Sequence, residues 1–224
     1  MRLSEKTTKI LQNFTSINQS LHFKEGNTLR TISVMKNVLA EAEIEEYIPR
    51  EFAIYDLPQF LNTLSLTNAA SIDVTTDHSH ALIRGNASNK TKFFFCDPSV
   101  IVAPPEKQMT LPSVDVEFML GEQDLRSLLK ASSIMQLPDL SVVGNGSTVE
   151  VVVSDRKNDT SNEFNLTVGK TESTFSFNFK IENIKTLIGG YHVSISKKNL
   201  AKFYSSAYKL TYFIALEPDS TFDE

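Results

Sequence analysis

At the start of the chain Leu3, Thr7, Ile10, Phe14 and Ile17 fall at three-to-four spacing, with Ser4 ahead as an N-cap. A helix is expected there, with Arg2, Lys6, Lys9 and Asn13 within about 60° of one another beside the stripe. Strand-like runs follow at 21–24, 28–34, 39–44 and 51–55. Lys24-Glu25-Gly26-Asn27 reads as a hairpin turn between the first two, glycine supplying a positive φ. A second helix spans 56–66, with Asp56 as N-cap, Pro58 in its first turn, and Leu57, Phe60, Leu61 and Leu64 on its apolar face. Short strands at 72–75, 81–84 and 90–96 complete this half.

Residues 97–107 carry Pro98, Pro104 and Pro105, and Pro112 extends the same character, so a linker is expected at 97–112. It separates a domain at 1–96 from one at 113–224. The second half repeats the order of the first. A helix at 122–135 buries Leu125, Leu128, Leu129 and Ser132 and turns Arg126 and Lys130 outward. Strands are expected at 140–143 and 148–154, joined through Gly144-Asn145-Gly146, then at 163–168 and 174–179. Phe175, Phe177 and Phe179 alternate with polar residues, as on a half-buried strand. A helix at 181–188 and three closing strands finish the chain. Each half is thus helix, four strands, helix and further strands, a long-period internal repeat.

Sequence motifs give no case for an enzyme. Gly169-Lys170-Thr171 lacks the glycine five residues earlier that a phosphate loop needs, since Phe164 stands there. Ser127-Leu128-Leu129-Lys130 and Ser194-Ile195-Ser196-Lys197 match Ser-x-x-Lys without the companion motifs of an acyl-enzyme site. His78 and His80 sit in a turn with no third metal ligand nearby. Glu45-Glu46 carries no mark of a glycosidase pair.

Composition narrows the field further. With one cysteine, Cys96, neither an internal disulfide nor a thiolate zinc site is expected. It reads as filling beside Phe93, Phe94 and Phe95. No run approaches the roughly 18 apolar residues of a spanning helix, and no secretory signal opens the chain. Seven Asn-x-Ser/Thr sequons then reflect only richness in those residues. Lys and Arg number 22 against 27 Asp and Glu, a net charge of −5, which taken as uniform argues against nucleic acid. The distribution is not uniform. The four expected helices hold Lys6, Lys9, Arg126, Lys130, Lys180 and Lys185 against Glu5, Asp56, Glu122, Asp124 and Glu182, leaving −6 on the remainder. Those six cations are the candidates for phosphate contact, and the second helix contributes none.

Several short motifs carry a resemblance. Leu3-Ser4 with Thr7-Thr8, Asn13-Phe14, Ile17-Asn18, and Ala53-Ile54-Tyr55-Asp56-Leu57 with Phe60-Leu61 are similar to the sliding clamps of T-even-type bacteriophages. So are Asp97-Pro98-Ser99 with Val102-Ala103-Pro104, and Ala215-Leu216-Glu217 with Asp219-Ser220-Thr221 and Asp223. The motifs span the whole chain in order. The resemblance implies an α+β DNA-clamp fold: two similar domains, each with two helices packed on antiparallel sheets, and three chains closing head-to-tail into a ring. It implies a homotrimer that encircles duplex DNA without reading sequence, tethers the DNA polymerase, is placed by a clamp loader and assists late transcription. Such a ring acts in the cytoplasm of the infected bacterial host and needs no cofactor, metal or catalytic residue. By analogy the strand at 90–96 pairs with that at 162–169 of the next chain. The partner-peptide pocket is expected at Val102, Leu111, Ala215, Leu216 and Pro218. A β-rich structural module of a virion is the alternative.

Overall fold

The computed structural model describes residues 1–66, 71–74, 79–85 and 89–223. The chain divides into two compact units. The first comprises residues 1–107 together with 208–210, and the second residues 108–207 and 211–224. The division falls inside the proline-bearing segment.

In the first unit helix α1 spans Glu5–Phe14. Ser4 Oγ accepts from Thr7 N at 3.2 Å, and Glu46 accepts from both Ser4 N and Thr7 Oγ1, the latter at 2.6 Å. These bonds satisfy donors that the first turn of a helix leaves open. Its buried face is Thr7, Ile10, Leu11 and Phe14. Strands β1 (Leu21–Phe23), β2 (Gly26–Ile32), β3 (Val38–Ile48) and β4 (Phe52–Ile54) follow. Helix α2 (Leu57–Ser65) is capped by Asp56 Oδ1, which accepts from Gln59 N at 2.7 Å. Strands β5 (Ser71–Val74), β6 (His80–Arg84) and β7 (Lys90–Phe94) form an antiparallel sheet in that order.

The expected hairpin at Lys24–Asn27 is corrected here. Gly26 does take a positive φ of 121°, but β1 pairs antiparallel with β4, Phe23 opposite Phe52. The two rings stack 4.6 Å apart, and Phe52 stacks on Phe95 at 4.7 Å, so burial of aromatic area selects the partner. Strand β2 pairs instead with β3, through a tip at which Val34 and Met35 are exposed. His78 and Thr75 lie outside the described residues; His80 begins β6 and its ring rests 5.5 Å from that of Phe94.

The second unit opens with β8 (Val116–Leu120), whose alternating burial was not anticipated as a strand. Helix α3 (Glu122–Met135) buries Leu125, Leu128 and Ser132. Strands β9 (Asp139–Asn145), β10 (Thr148–Ser154), β11 (Phe164–Lys170), β12 (Thr174–Lys180) and β16 (Thr221–Asp223) make one sheet in the order β11-β10-β9-β12-β16. Strand β13 (Tyr191–Ser196) lies between β8 and β14 (Leu200–Ser205), with β15 (Leu210–Ala215) beyond β14. The core stacks Phe175 on Phe177 at 5.1 Å and sets Tyr191 edge-on to Phe203 and Tyr212.

Helix α4 is shorter than expected, Ile181–Ile184 rather than 181–188. Beyond it Thr186 Oγ1 donates to Asn183 O, Gly189 takes a φ of 86°, and Tyr191 Oη holds both Ile188 N and Ile188 O. The apolar spacing of Ile184 and Leu187 continues, but Leu187 N bonds to Ile184 O, a tighter i→i−3 turn in place of the α-helical step. None of the described helices is long and apolar enough to cross a membrane.

Candidate nucleic-acid interface and linker cradle

On α1 and α3 the exposed cations lie off the buried stripe. On α1, Lys6 is half-buried and Lys9 exposed. On α3, Arg126 and Lys130 are exposed one turn apart, and Lys185 caps α4 in the open. Helix α2 carries no Lys or Arg.

Two of the six cations are engaged within the chain. Arg126 Nη2 lies 2.5 Å from Glu122 Oε1, a side-chain pair four residues apart on α3. Lys180 precedes α4 as its N-cap and directs its ammonium at the Asp139 carboxylate, 2.5 Å away. The hydrogen bond from Lys180 to Asp139 raises the lysine pKa, against the opposing effect of burial. Asp139 is 1% exposed. Asp139 also accepts from Arg156 N at 3.2 Å, and within the chain the Lys180 ammonium serves this buried carboxylate. Lys6, Lys9, Lys130 and Lys185 have no salt-bridge partner among the described residues.

The five residues expected to form a peptide pocket are divided between the two units. Val102 belongs to the first unit, where it is 37% exposed and its carbonyl accepts from Asn18 Nδ2 at 3.1 Å. Leu111, Ala215, Leu216 and Pro218 belong to the second. Leu216 is 7% exposed and serves as core there, while Pro218 is exposed. The first unit holds a pocket of about 210 Å³ beside the linker. It is lined by His22, Lys24, Glu25, Thr28 and Arg30 below and by Ala103, Pro104 and Glu106 above.

That pocket follows from how the linker is tied down. Asp97 Oδ1 accepts from Ser99 N at 2.8 Å, starting the single 3₁₀ turn Pro98–Val100. The same bond lowers the Asp97 pKa. Asn18, 6% exposed, donates to Ile32 O and Val102 O, while its Oδ1 accepts from Ser20 N and Ser20 Oγ. Arg30 Nη1 donates to Pro105 O at 2.8 Å and Nη2 to Lys107 O at 3.4 Å; its Nε lies 3.0 Å from Glu41 Oε2. Lys24 pairs with Glu106 and holds that carboxyl below its ordinary value. Sequence reasoning did not anticipate Lys24, Arg30 and Glu106. Nothing local marks a cation as the partner of a chain segment so distant along the sequence.

The architecture defines the class. It matches Proliferating Cellular Nuclear Antigen from Entamoeba histolytica with a TM-score of 0.71, covering 96% of this chain and 97% of that one at 13% identity. It matches the A. fulgidus PCNA solved with the C-terminal region of FEN-1 bound, again at 0.71, with 98% coverage of both chains and 12% identity. The fold is that of the PCNA-like sliding clamps.

The sequence then gives the family. Residues 3–103 match the family described as DNA polymerase processivity factor, and residues 117–218 that described as gp45 sliding clamp, C terminal. The Sliding clamp of Enterobacteria phage T4 is 32% identical over the full length of both chains. That of Vibrio phage KVP40 is 30% identical over 97% of this chain and 99% of its own. The chain belongs to the phage sliding clamps, a family of DNA polymerase processivity factors.

Proposed function

We propose that three copies of the chain close head-to-tail into a ring that encircles duplex DNA and tethers the replicative polymerase in the infected host's cytoplasm. A clamp loader places the ring, and the ring also assists late transcription. The observation that carries this reading is full-length membership of the sliding-clamp family, joined to cations set off the buried stripes of α1 and α3.

Retention of this kind is topological. It asks for no base-reading group and no catalytic residue, and phosphate contacts must be weak and interchangeable for the ring to slide. Ring closure is supported by the sheet edges. Strand β7 ends the order β5-β6-β7 and β11 ends the order β11-β10-β9-β12-β16. Strand β7 alternates exposed with half-buried residues throughout and β11 does so over Phe164–Thr167, and Phe94 at the end of β7 is 68% exposed. Open edges of this kind are normally blunted or covered. Pairing β7 of one chain with β11 of the next covers both, in a heterologous contact that closes when the rotation does.

The test begins with solution mass, expected near 75 kDa, about three times the chain mass of 25.1 kDa. Loaded protein should stay on closed circular DNA and leave once that DNA is linearised. Lys9→Glu with Lys130→Glu should reduce processivity and leave the mass unchanged. A strictly monomeric protein at high concentration, or retention indifferent to linearisation, refutes the reading.

A further inference from the structure

Arginine is the side chain best suited to grip a phosphate, because its planar fork donates two parallel hydrogen bonds. On a ring that must slide, such a grip is a liability. Arg126 is the one arginine among the six helix cations, and it is the one that an exposed carboxylate on its own helix holds. Glu122 stands a turn ahead of it, in the first turn of α3, where the helix dipole favours a negative charge. Asp124 shares that turn. Its Oδ2 lies 2.9 Å from where a Cβ on Gly121 would stand, so this second carboxylate folds back over the start of the helix. Gly121 offers no side-chain cap of its own. On α1, by contrast, Ser4 caps the helix and Glu5 makes no ion pair with Lys9 one turn on.

We propose that Glu122 is a positioning residue that competes with DNA phosphate for the Arg126 guanidinium and so keeps the α3 contact short-lived. The inference rests on the clamp reading above. The pair is exposed, with side chains 67% and 50% accessible. A pair of that kind biases its partners by roughly a factor of two, enough to compete and too little to block. Phosphate thus meets an arginine already half satisfied, exchange costs little, and the next phosphate takes its turn.

Binding to a short linear duplex at low ionic strength tests the idea, because no topological retention contributes there. Glu122→Gln should tighten binding about two- to threefold, and the slope of log K against log salt should steepen by up to about 0.9, one further phosphate contact. Arg126→Gln should flatten the slope by a similar amount. Glu122→Gln made in the Arg126→Gln background should lose at least half of its effect. An unchanged slope for Glu122→Gln, or the same gain with and without Arg126, overturns the proposal. Retention of each variant on circular against linearised DNA separates the two failures. If the unaltered ring ignores linearisation, the clamp reading falls; if it responds while Glu122→Gln changes nothing, only this inference falls.

Discussion

Asn18→Ala tests how the linker is held, and its cost can be worked from contacts already described. The side chain is 6% exposed and makes four hydrogen bonds. Nδ2 donates to Ile32 O at 3.0 Å and to Val102 O at 3.1 Å; Oδ1 accepts from Ser20 N at 2.9 Å and from Ser20 Oγ at 3.0 Å. Alanine removes both donors and the acceptor. The bonds to Ile32 and Ser20 are buried, whereas the Val102 carbonyl is in part accessible and can turn to water. A net hydrogen bond is worth about 1 kcal/mol, and a buried polar group left unmade costs about 1–3 kcal/mol. The expected loss is therefore about 2–4 kcal/mol, toward the upper end for a single substitution.

Urea unfolding of the full chain measures that loss, and limited proteolysis of residues 97–112 reports whether the linker has come free. Asn18→Asp refines the test. It keeps the acceptor for Ser20 but sets an oxygen against two carbonyls, so the linker should be released while the Ser20 side survives. A loss under about 0.5 kcal/mol in the alanine variant, with the linker as protected as before, would refute the reasoning.

Gly144→Ala should lower the melting temperature. A Cβ there would stand 2.3 Å from Phe175 Cε1, and that ring is pinned by stacking on Phe177 and Phe222. Overpacking of this kind costs about 1–3 kcal/mol, roughly 2–4 °C for each kcal/mol in a chain of this size; an unchanged melting curve counts against it. Glu46 should give the cap of α1 a dependence on pH. Burial alone would raise its pKa, but hydrogen bonds from Thr7 and Ser4 prevail and hold it below the ordinary 4.5. A carboxyl depressed in the folded state contributes fully above its unfolded pKa and loses that contribution as pH falls through the folded one. The stability gap between the unaltered protein and Glu46→Gln should accordingly be constant near neutrality and shrink below pH 4.5. A gap that stays constant into acid would contradict that assignment.

Local signals were legible where a single element explains them. The stripe on α1, Ser4 before it, and Asp56 with Pro58 before α2 all lie within one turn of the residues they organise. The positive φ at Gly26 was legible, yet it could not say which strand β1 would join; a stack between Phe23 and Phe52 decided that. The alternation of Val116, Phe118 and Leu120 in β8 was present in the sequence and went unread. Three-residue β16 is too short to give a period, and it is held by Phe222 against Phe175 and Phe177. At the candidate interface the cations could be counted from the sequence but their engagements could not. Lys180 differs from Lys185 only through Asp139, and the linker cradle needs Arg30 beside the carbonyls of Pro105 and Lys107.

The residues that carry the family resemblance are mostly not the six candidate cations. Ser4 and Thr7 close the start of α1 with Glu46, Asp56 caps α2, and Asp97 starts the turn that leads into the linker. Asn18 ties that linker to the first unit. Asp219 takes the Arg156 guanidinium in two bonds, which lower its pKa, and Ser220 Oγ accepts from Asn178 N, so both fasten the segment that becomes β16. Topology explains the division. Any cation on the right side of a helix can meet a passing phosphate, so such positions tolerate exchange among Lys, Arg and neighbouring sites. A ring survives its load only if helices start where they must and linkers stay where they are tied. Caps and straps allow few substitutions, and several of this chain's short motifs that carry the resemblance fall on them.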